Sequence, residues 1–328
     1  MSRSRAAALA ACFFVSFGVV PLGGAAAQAA GHAADGPANR AVASDDVVTH
    51  RLDTSGVHAY WTPERIAQMP VGEVEDPGAP PVDGPTGSSV PTGTEVDGTV
   101  GRLFFVDHGE DSSCTATLVR SANDATAVTA GHCVLNRDLL GEDRQWAQKV
   151  LFVPGFRDGE MPQGAYAVRA VVVDRAWSSW VGEDQPDGYD QAFVVLERAA
   201  PGAQAIGFDV PGGQVVTELG YPRSARLPGH QGRPEFTGQR VAACRGMAVE
   251  YRGSVELPVD PGQWGVPCDM GGGASGGPRL ASFDPEVGRG TVVGVNTQGG
   301  EIDGVRHLSG AQFTEGITRP LYDVAGAL

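Results

Sequence analysis

The sequence predicts an all-β fold from about residue 100 onward, because short apolar segments alternate there with turns and only the C-terminus has a helical pattern. The 47 glycines and 23 prolines in 328 residues make turns frequent, while remaining below the level typical of a disordered chain. Such strands are typical of a sandwich or of barrels. In this region the predicted strands are Arg102–Val106, Cys114–Val119, Ala125–Thr129, Val150–Val153, Tyr166–Val173, Gln191–Leu196, Val215–Leu219, Gly238–Ala242 and Thr291–Asn296, and the predicted helix is Thr318–Ala327.

Residues 1–29 have the pattern of a secretory signal peptide. Arg3 and Arg5 precede an apolar run over 6–20, and residues 27–29 read Ala-Gln-Ala, an A-x-A cleavage site. The run is short of the roughly 20 residues that span a membrane. Cys12 follows a lipoprotein-like Leu-Ala-Ala, but its preceding apolar run is too short to favour lipidation. We therefore expect a secreted, extracellular protein with no membrane association after signal removal.

Residues 30–99 differ in composition from the rest and are predicted to be a pro-segment with a linker rich in Pro and Gly. Ten acidic and three basic residues occur in 30–95, and six prolines follow from Pro70 onward. Such a composition buries little apolar surface. One short helix is predicted, with Thr62 as its cap and Pro63 in its first position. The alternative is a disordered surface tail; removal after export, as in a zymogen, is the favoured interpretation.

The net charge and the cysteine count narrow the range of possible functions and predict disulfides. The net charge of -15 argues against a nucleic-acid-binding surface, which needs clustered Lys and Arg. The five cysteines become four once Cys12 leaves with the signal peptide. An even number of cysteines in an exported chain predicts two disulfides.

Three short segments carry the chemistry. The first ends a strand at His132, the second opens a strand at Asp190, and the third places Ser275 among glycines in G-G-A-S-G-G-P. Ser275 is the candidate nucleophile, and the N–H groups of Gly273 and Ser275 are the candidate oxyanion hole. The glycines do not form a phosphate-binding P-loop, because no Lys follows them.

A serine nucleophile needs a base, and the base needs a group that orients it. His132 is the candidate base. Asp190 is the candidate orienting group, because a carboxylate entering an apolar strand needs a partner. Asp187 and Asp174 are weaker candidates, the first in a polar loop and the second beside Arg175.

The order His132, Asp190, Ser275 resembles that of the chymotrypsin-like (trypsin-family) serine peptidases. The motifs T-A-G-H-C, Y-D-x-A and G-x-S-G-G-P carry the resemblance, which covers 100–328. C-D-M-x-G-G-x-S-G-G-P with the upstream Y-W-T-P-E-R looks like secreted trypsin-like peptidases of high-GC bacteria. The resemblance implies two six-stranded antiparallel β-barrels with a short C-terminal helix, and peptide-bond hydrolysis through an acyl-enzyme in the cleft between the barrels.

Cys114 and Cys133 are expected to form one disulfide beside His132, and Cys244 and Cys268 the other. Ala274 stands where trypsin-like enzymes usually carry the Asp that pairs with the new N-terminus after activation. That switch is therefore absent, and the pro-segment is expected to cover the cleft or to assist folding.

The predicted substrate pocket contains Asp269, Met270, Asn296 and Thr297. Asp269 is six residues before Ser275, where the resemblance implies a preference for Arg and Lys; an Asp held by local N–H groups is the alternative. Asn296 replaces the His of a glutamyl-specific subgroup, which disfavours Glu specificity. Gly299 and Gly300 suit the approach of an extended peptide by strand addition.

The sequence predicts a secreted serine endopeptidase that acts on polypeptides as a monomer, without nucleic-acid partner, cofactor or metal. His108 lies in an acidic turn that is more typical of a solvated surface than of a cation site. The first alternative function is a catalytically inactive homologue that binds peptides or a protein. The second is an esterase with the same triad.

Overall fold

In a computed structural model of the chain, described residues are 46–69, 88–89, 96–137, 143–181, 186–223, 236–250, 263–302 and 304–328. The predicted signal peptide, with Cys12, lies outside them. So do residues 30–45, 70–87 and 90–95 of the predicted pro-segment and linker. All described residues belong to one unit, Arg40–Leu328.

Strands dominate the described residues. In chain order, β1 to β19 are Val47–Arg51, Ser88–Ser89, Val100–Asp107, Glu110–Leu118, Thr126–Thr129, Leu135–Arg137, Arg144–Trp146, Gln148–Pro154, Tyr166–Asp174, Ala192–Leu196, Ala205–Ile206, Val215–Gly220, Ala242–Met247, Val249–Glu250, Gln263–Pro267, Pro278–Asp284, Arg289–Val295, Gln298–Ile302 and Val305–Ala311. Helices α1 to α5 are Val57–Tyr60, Pro63–Ala67, Val96–Thr99, Arg175–Ser179 and Thr318–Ala327, and short 3-10 turns span Gly131–Cys133 and Asp187–Tyr189.

The first half is a closed barrel of six antiparallel strands in the order β9, β10, β5, β4, β3, β8. Pairing of β8 with β9, through Leu151–Ala167 and Phe152–Tyr166, closes it. The β3–β4 hairpin turns at His108 and Gly109, whose φ angles of 48° and 86° suit a two-residue turn in a twisted hairpin.

Alternate residues of these strands enter two separate apolar clusters, one on each face of the barrel wall. In β9, Val171 and Val173 join one cluster, whereas Ala170 and Val172 join the other. Successive side chains of a strand point to opposite faces. Because both faces of the barrel wall are buried, the sequence of such a strand is a nearly continuous run of apolar residues.

The second half consists of two sheets, with strand orders β11-β17-β16-β12-β13-β2 and β14-β15-β19-β18. An isolated bridge between Gly294 and Gln312 links them at β17 and β19. Helix α5 buries Leu321 and Ala325, and the Tyr322 hydroxyl donates a hydrogen bond to the Arg120 carbonyl over 2.6 Å. The predicted all-β class with a short C-terminal helix is confirmed.

Residues 46–69, which belong to the predicted pro-segment, add to the first barrel. Strand β1 pairs antiparallel with β9 from Val47–Asp174 to Arg51–Ala170. Trp61 is 3% exposed, and its indole N–H donates to the Lys149 carbonyl over 2.5 Å. The Thr62 hydroxyl caps α2 as expected, by accepting from the Arg65 N–H.

None of the helices in the described residues is long and apolar enough to span a membrane.

Candidate active site

His132 and Asp190 are joined by two hydrogen bonds. The His132 backbone N–H donates to Asp190 Oδ1, and His132 Nδ1 lies 2.8 Å from Asp190 Oδ2. An ionised carboxylate only accepts hydrogen bonds, so Nδ1 carries the proton and Nε2 is left as the basic nitrogen. The Asp190 side chain is 3% exposed and that of His132 is 24% exposed, so the ring remains accessible.

Burial lowers the pKa of His132, but the charge of Asp190 and its hydrogen bond raise it by more. The net result is a pKa above the usual value of 6.5. Asp107 and Asp187 add smaller effects in the same direction. The arrangement therefore favours a ring that accepts a proton readily and holds it.

The two weaker aspartate candidates have other roles in the structure. Asp174 caps α4, because its Oδ1 accepts from the Ala176 N–H over 2.7 Å. Asp187 Oδ2 accepts from the Gln298 amide over 3.1 Å. Asp190 is the aspartate that contacts the His132 ring.

The Ser275 loop packs against the strand end that leads to His132. Gly276, at φ +77°, lies so close to β5 that an added Cβ would be 2.9 Å from the Ala130 N–H nitrogen. A side chain there would push the loop away, so glycine is required. Ser275 itself remains partly exposed.

Thr115 of β4 holds the Ser275 loop from the first barrel. Its N–H donates to the Ser275 carbonyl and its hydroxyl to the Gly273 carbonyl, both over 2.8 Å. The Thr115 hydroxyl also accepts from the Tyr221 N–H over 2.9 Å. No sequence motif pointed to Thr115, and its position directly after Cys114 is the one signal that could have identified it.

The N–H groups of Gly273 and Ser275 donate no hydrogen bond within the described part of the chain. Their neighbours do: the Ala274 N–H donates to Gly271 and the Gly276 N–H to Asn296, over 3.1 and 2.7 Å. Gly273 adopts φ +92°, in the left-handed region that favours glycine. These two donors therefore remain free to receive an anionic oxygen.

Both expected disulfides, Cys114–Cys133 and Cys244–Cys268, are present. The first lies directly beside His132, whose ring nitrogen and the two sulfurs are within 4.8 Å of one another. These three side chains are the one group of potential metal ligands found among the described residues. Because the sulfurs are joined to each other, they supply no thiolate for a metal.

The four predicted pocket residues lie in two different surroundings. Asp269 and Met270 are buried beside Cys268, with 6% and 0% exposure. The buried Asn296 side chain instead supports the loop, because its amide donates to the Leu219 carbonyl over 2.9 Å. Thr297 follows Asn296 in the connection between β17 and β18, and its N–H donates to the Ser309 carbonyl.

Solved structures of serine proteases resemble this chain. The thermostable serine protease AL20 from an extremophilic microorganism is 28% identical, with a TM-score of 0.57, over 70% of this chain and 98% of that one. Protease Anisep from Arthrobacter nicotinovorans is 25% identical, with a TM-score of 0.58, over 74% and 99% of the two chains.

A third solved structure, a Glu endopeptidase, is 19% identical over 78% of this chain and 99% of that one, with a TM-score of 0.55. Its similarity concerns the fold. No protein-family model and no curated protein matches the sequence. The solved structures confirm that the chain has the chymotrypsin-like serine protease fold.

Proposed function

We propose that this protein is a secreted serine endopeptidase that cleaves polypeptides through an acyl-enzyme. The observation that carries the proposal is the pair of hydrogen bonds from His132 to Asp190, next to a loop that presents Ser275. The similarity to solved serine proteases supports a hydrolase of this kind.

In the proposed mechanism, Ser275 Oγ attacks the substrate carbonyl while His132 Nε2 takes the hydroxyl proton. Asp190 holds the ring in the required tautomer and stabilises the imidazolium. The N–H groups of Gly273 and Ser275 stabilise the oxyanion. His132 then gives the proton to the leaving amine, and water, activated by the same ring, hydrolyses the acyl-enzyme.

Asp269 is proposed to attract Arg or Lys into the substrate pocket. Its support is its position six residues before Ser275, beside Cys268 and Met270. Asn296 and Thr297, which lie between β17 and β18, are the other residues of the proposed pocket. A peptide-library digest tests this assignment, and cleavage after residues other than Arg or Lys would contradict it.

The proposed pro-segment, residues 30–99, contains a part that packs into the core. Release of residues 46–69 would expose Trp61 and Ile66 to water. It would also leave the edge of β9 that pairs with β1 without its partner strand. The proposal is therefore that maturation cuts within residues 70–95 and leaves 46–69 bound to the barrel. Mass spectrometry of the mature secreted protein should detect both chains.

The proposed activity is tested with a sulfonyl fluoride or phosphonate that labels active serines. We expect stoichiometric labelling of Ser275 with loss of peptide hydrolysis, and neither in Ser275→Ala. Ser282→Ala, which changes a serine outside the site, is the matched control and should label like the wild type. Absence of labelling would favour a peptide-binding homologue, and labelling without proteolysis would favour an esterase.

A further inference from the structure

Arg102 is a buried cation without a carboxylate partner among the described residues. It is 1% exposed, its Nε donates to Ser113 Oγ over 2.9 Å, and its Nη1 has no hydrogen-bond partner. Its guanidinium carbon lies 4.8 Å from the Phe104 ring centre and 5.4 Å from that of Phe156. The aromatic faces offset only part of the cost of burying the charge.

Arg223 lies beside Arg102 and also lacks a carboxylate in the described part of the chain. Its Nη2 is 3.5 Å from Ser112 Oγ, a long contact, and its buried Nε has no partner. An added Cβ at Gly238 would be 2.7 Å from Arg223 Cγ and 3.0 Å from Arg102 Cζ, so the two side chains are neighbours.

The pair is energetically costly. Burial, and next the charge of Arg223, lower the pKa of Arg102 to about 9, and burial lowers the pKa of Arg223. Elsewhere the chain neutralises a buried arginine: Arg279 Nε lies 3.0 Å from Glu218 Oε1. Among the described residues, these two adjacent cations, one buried and one partly buried, have no carboxylate partner, and such a pair favours the binding of an anion.

Arg223 also borders the proposed oxyanion hole. Its N–H donates to the Gly272 carbonyl over 2.6 Å, and its Cγ would be 3.1 Å from a Cβ on Gly273. Ser112, at the other end of its side chain, is two residues before Cys114, whose disulfide lies beside His132. In the proposed mechanism His132 protonates the leaving amine, so this is the leaving-group side of the site.

We infer that Arg223, with Arg102 behind it, forms a subsite for a carboxylate on the leaving-group side of a peptide substrate. This inference rests on the proposed function. Guanidinium groups bind carboxylates in a bidentate manner, and a substrate offers this group as an Asp or Glu side chain or as its C-terminus. Arg223 is thus a specificity-determining residue, and Arg102 adds positive charge behind it.

The test compares peptides that differ only by Asp or Asn at each of the first three positions after the cleaved bond. A second pair has a free or an amidated C-terminus. For the wild type we expect kcat/KM at least about ten-fold higher for one acidic peptide, the scale of one hydrogen bond to a charged group. A preference only for the free C-terminus would identify that carboxylate as the ligand.

Arg223→Gln should abolish this preference, measured as the ratio of kcat/KM for the acidic and the amide peptide, and Arg223→Lys should retain part of it. Arg240→Gln, which alters an exposed arginine paired with Asp158, is the matched control. Equal cleavage of acidic and amide peptides by the wild type, or an unchanged preference in Arg223→Gln, would overturn the inference.

Calorimetric binding of the same peptides to Ser275→Ala and to Ser275→Ala/Arg223→Gln separates this inference from the proposed function. If the wild type neither labels nor cleaves, the proposed function fails. Tighter binding of the acidic peptide that depends on Arg223 would still support the subsite. Equal binding of both peptides to Ser275→Ala would refute it.

Discussion

Both carboxylate oxygens of Asp190 contact His132. Oδ1 accepts a hydrogen bond from its backbone N–H, and Oδ2 contacts the ring nitrogen Nδ1. In Asp190→Asn, the backbone N–H still requires an oxygen, so the new amide NH₂ must face Nδ1. The ring then carries its proton on Nε2 and cannot accept one from Ser275. The backbone contact thus fixes the orientation of the amide in the variant, whereas an amide with the ring contact alone could flip.

We therefore expect Asp190→Asn to lower kcat by about 10⁴-fold, the effect of the wrong tautomer in such triads. Wild-type activity should fall as the pH decreases through a His132 pKa that is above 6.5, because the protonated ring cannot act as a base. The measurement is a pH–rate profile of both proteins. Asp187→Asn is the control, and a comparable loss of kcat there would contradict the assignment.

At the scale of elements, residues 46–69 illustrate the limit of composition as a guide. The acidic, proline-rich average of 30–99 predicts little burial, yet Val57, Trp61, Ile66 and Met69 enter the core. Lys149 connects the segment to β8 through its carbonyl, which accepts from Trp61, and its ammonium, which donates to the Ser55 carbonyl. A few apolar side chains at suitable positions are sufficient to anchor a polar segment.

Trp61→Ala should lower the free energy of unfolding by about 3–5 kcal/mol, the cost of a large core cavity. Urea unfolding of the wild type and the variant measures this change in the free energy of unfolding. Met247→Ala, which truncates a 53% exposed apolar side chain, should change stability by less than about 0.5 kcal/mol. If Trp61→Ala were equally neutral, the segment would not contribute to the folded state as described.

At the scale of the whole molecule, the candidate site depends on both halves. The first barrel supplies His132 and Asp190, and the second half of the molecule supplies Ser275. Thr115 connects them, because its hydroxyl bonds both the Gly273 carbonyl and the Tyr221 N–H. The geometry of the proposed oxyanion donors therefore depends on a side chain from the first barrel.

Thr115→Val keeps the shape but leaves two buried backbone groups without their partner. We expect kcat to fall about 10- to 100-fold with little change in KM, because the oxyanion donors shift. Thr117→Val is the matched control, since the buried Thr117 hydroxyl has no hydrogen-bond partner among the described residues. Steady-state kinetics of the two variants decide the matter, and equal kcat values would refute this role for Thr115.

The sequence by itself determined the class of fold and the location of the motifs. Alternating turns and β-branched runs anticipated most strands of the first barrel, and α5 matches its predicted bounds of Thr318–Ala327. Strand β13 begins at Ala242, where the run Gly238–Ala242 was predicted to end. Strands β15, β16 and β19 were missed, because polar and glycine residues interrupt their apolar pattern.

Only the tertiary structure decided which distant residues meet. It placed Asp190 in contact with the His132 ring, Asn296 in contact with the Leu219 carbonyl, and Thr115 against the Ser275 loop. It also placed Arg102 beside Arg223, 121 positions apart in the sequence. Local patterns depend on side-chain periodicity within a segment, whereas such contacts depend on strand register and barrel closure, which no single segment contains.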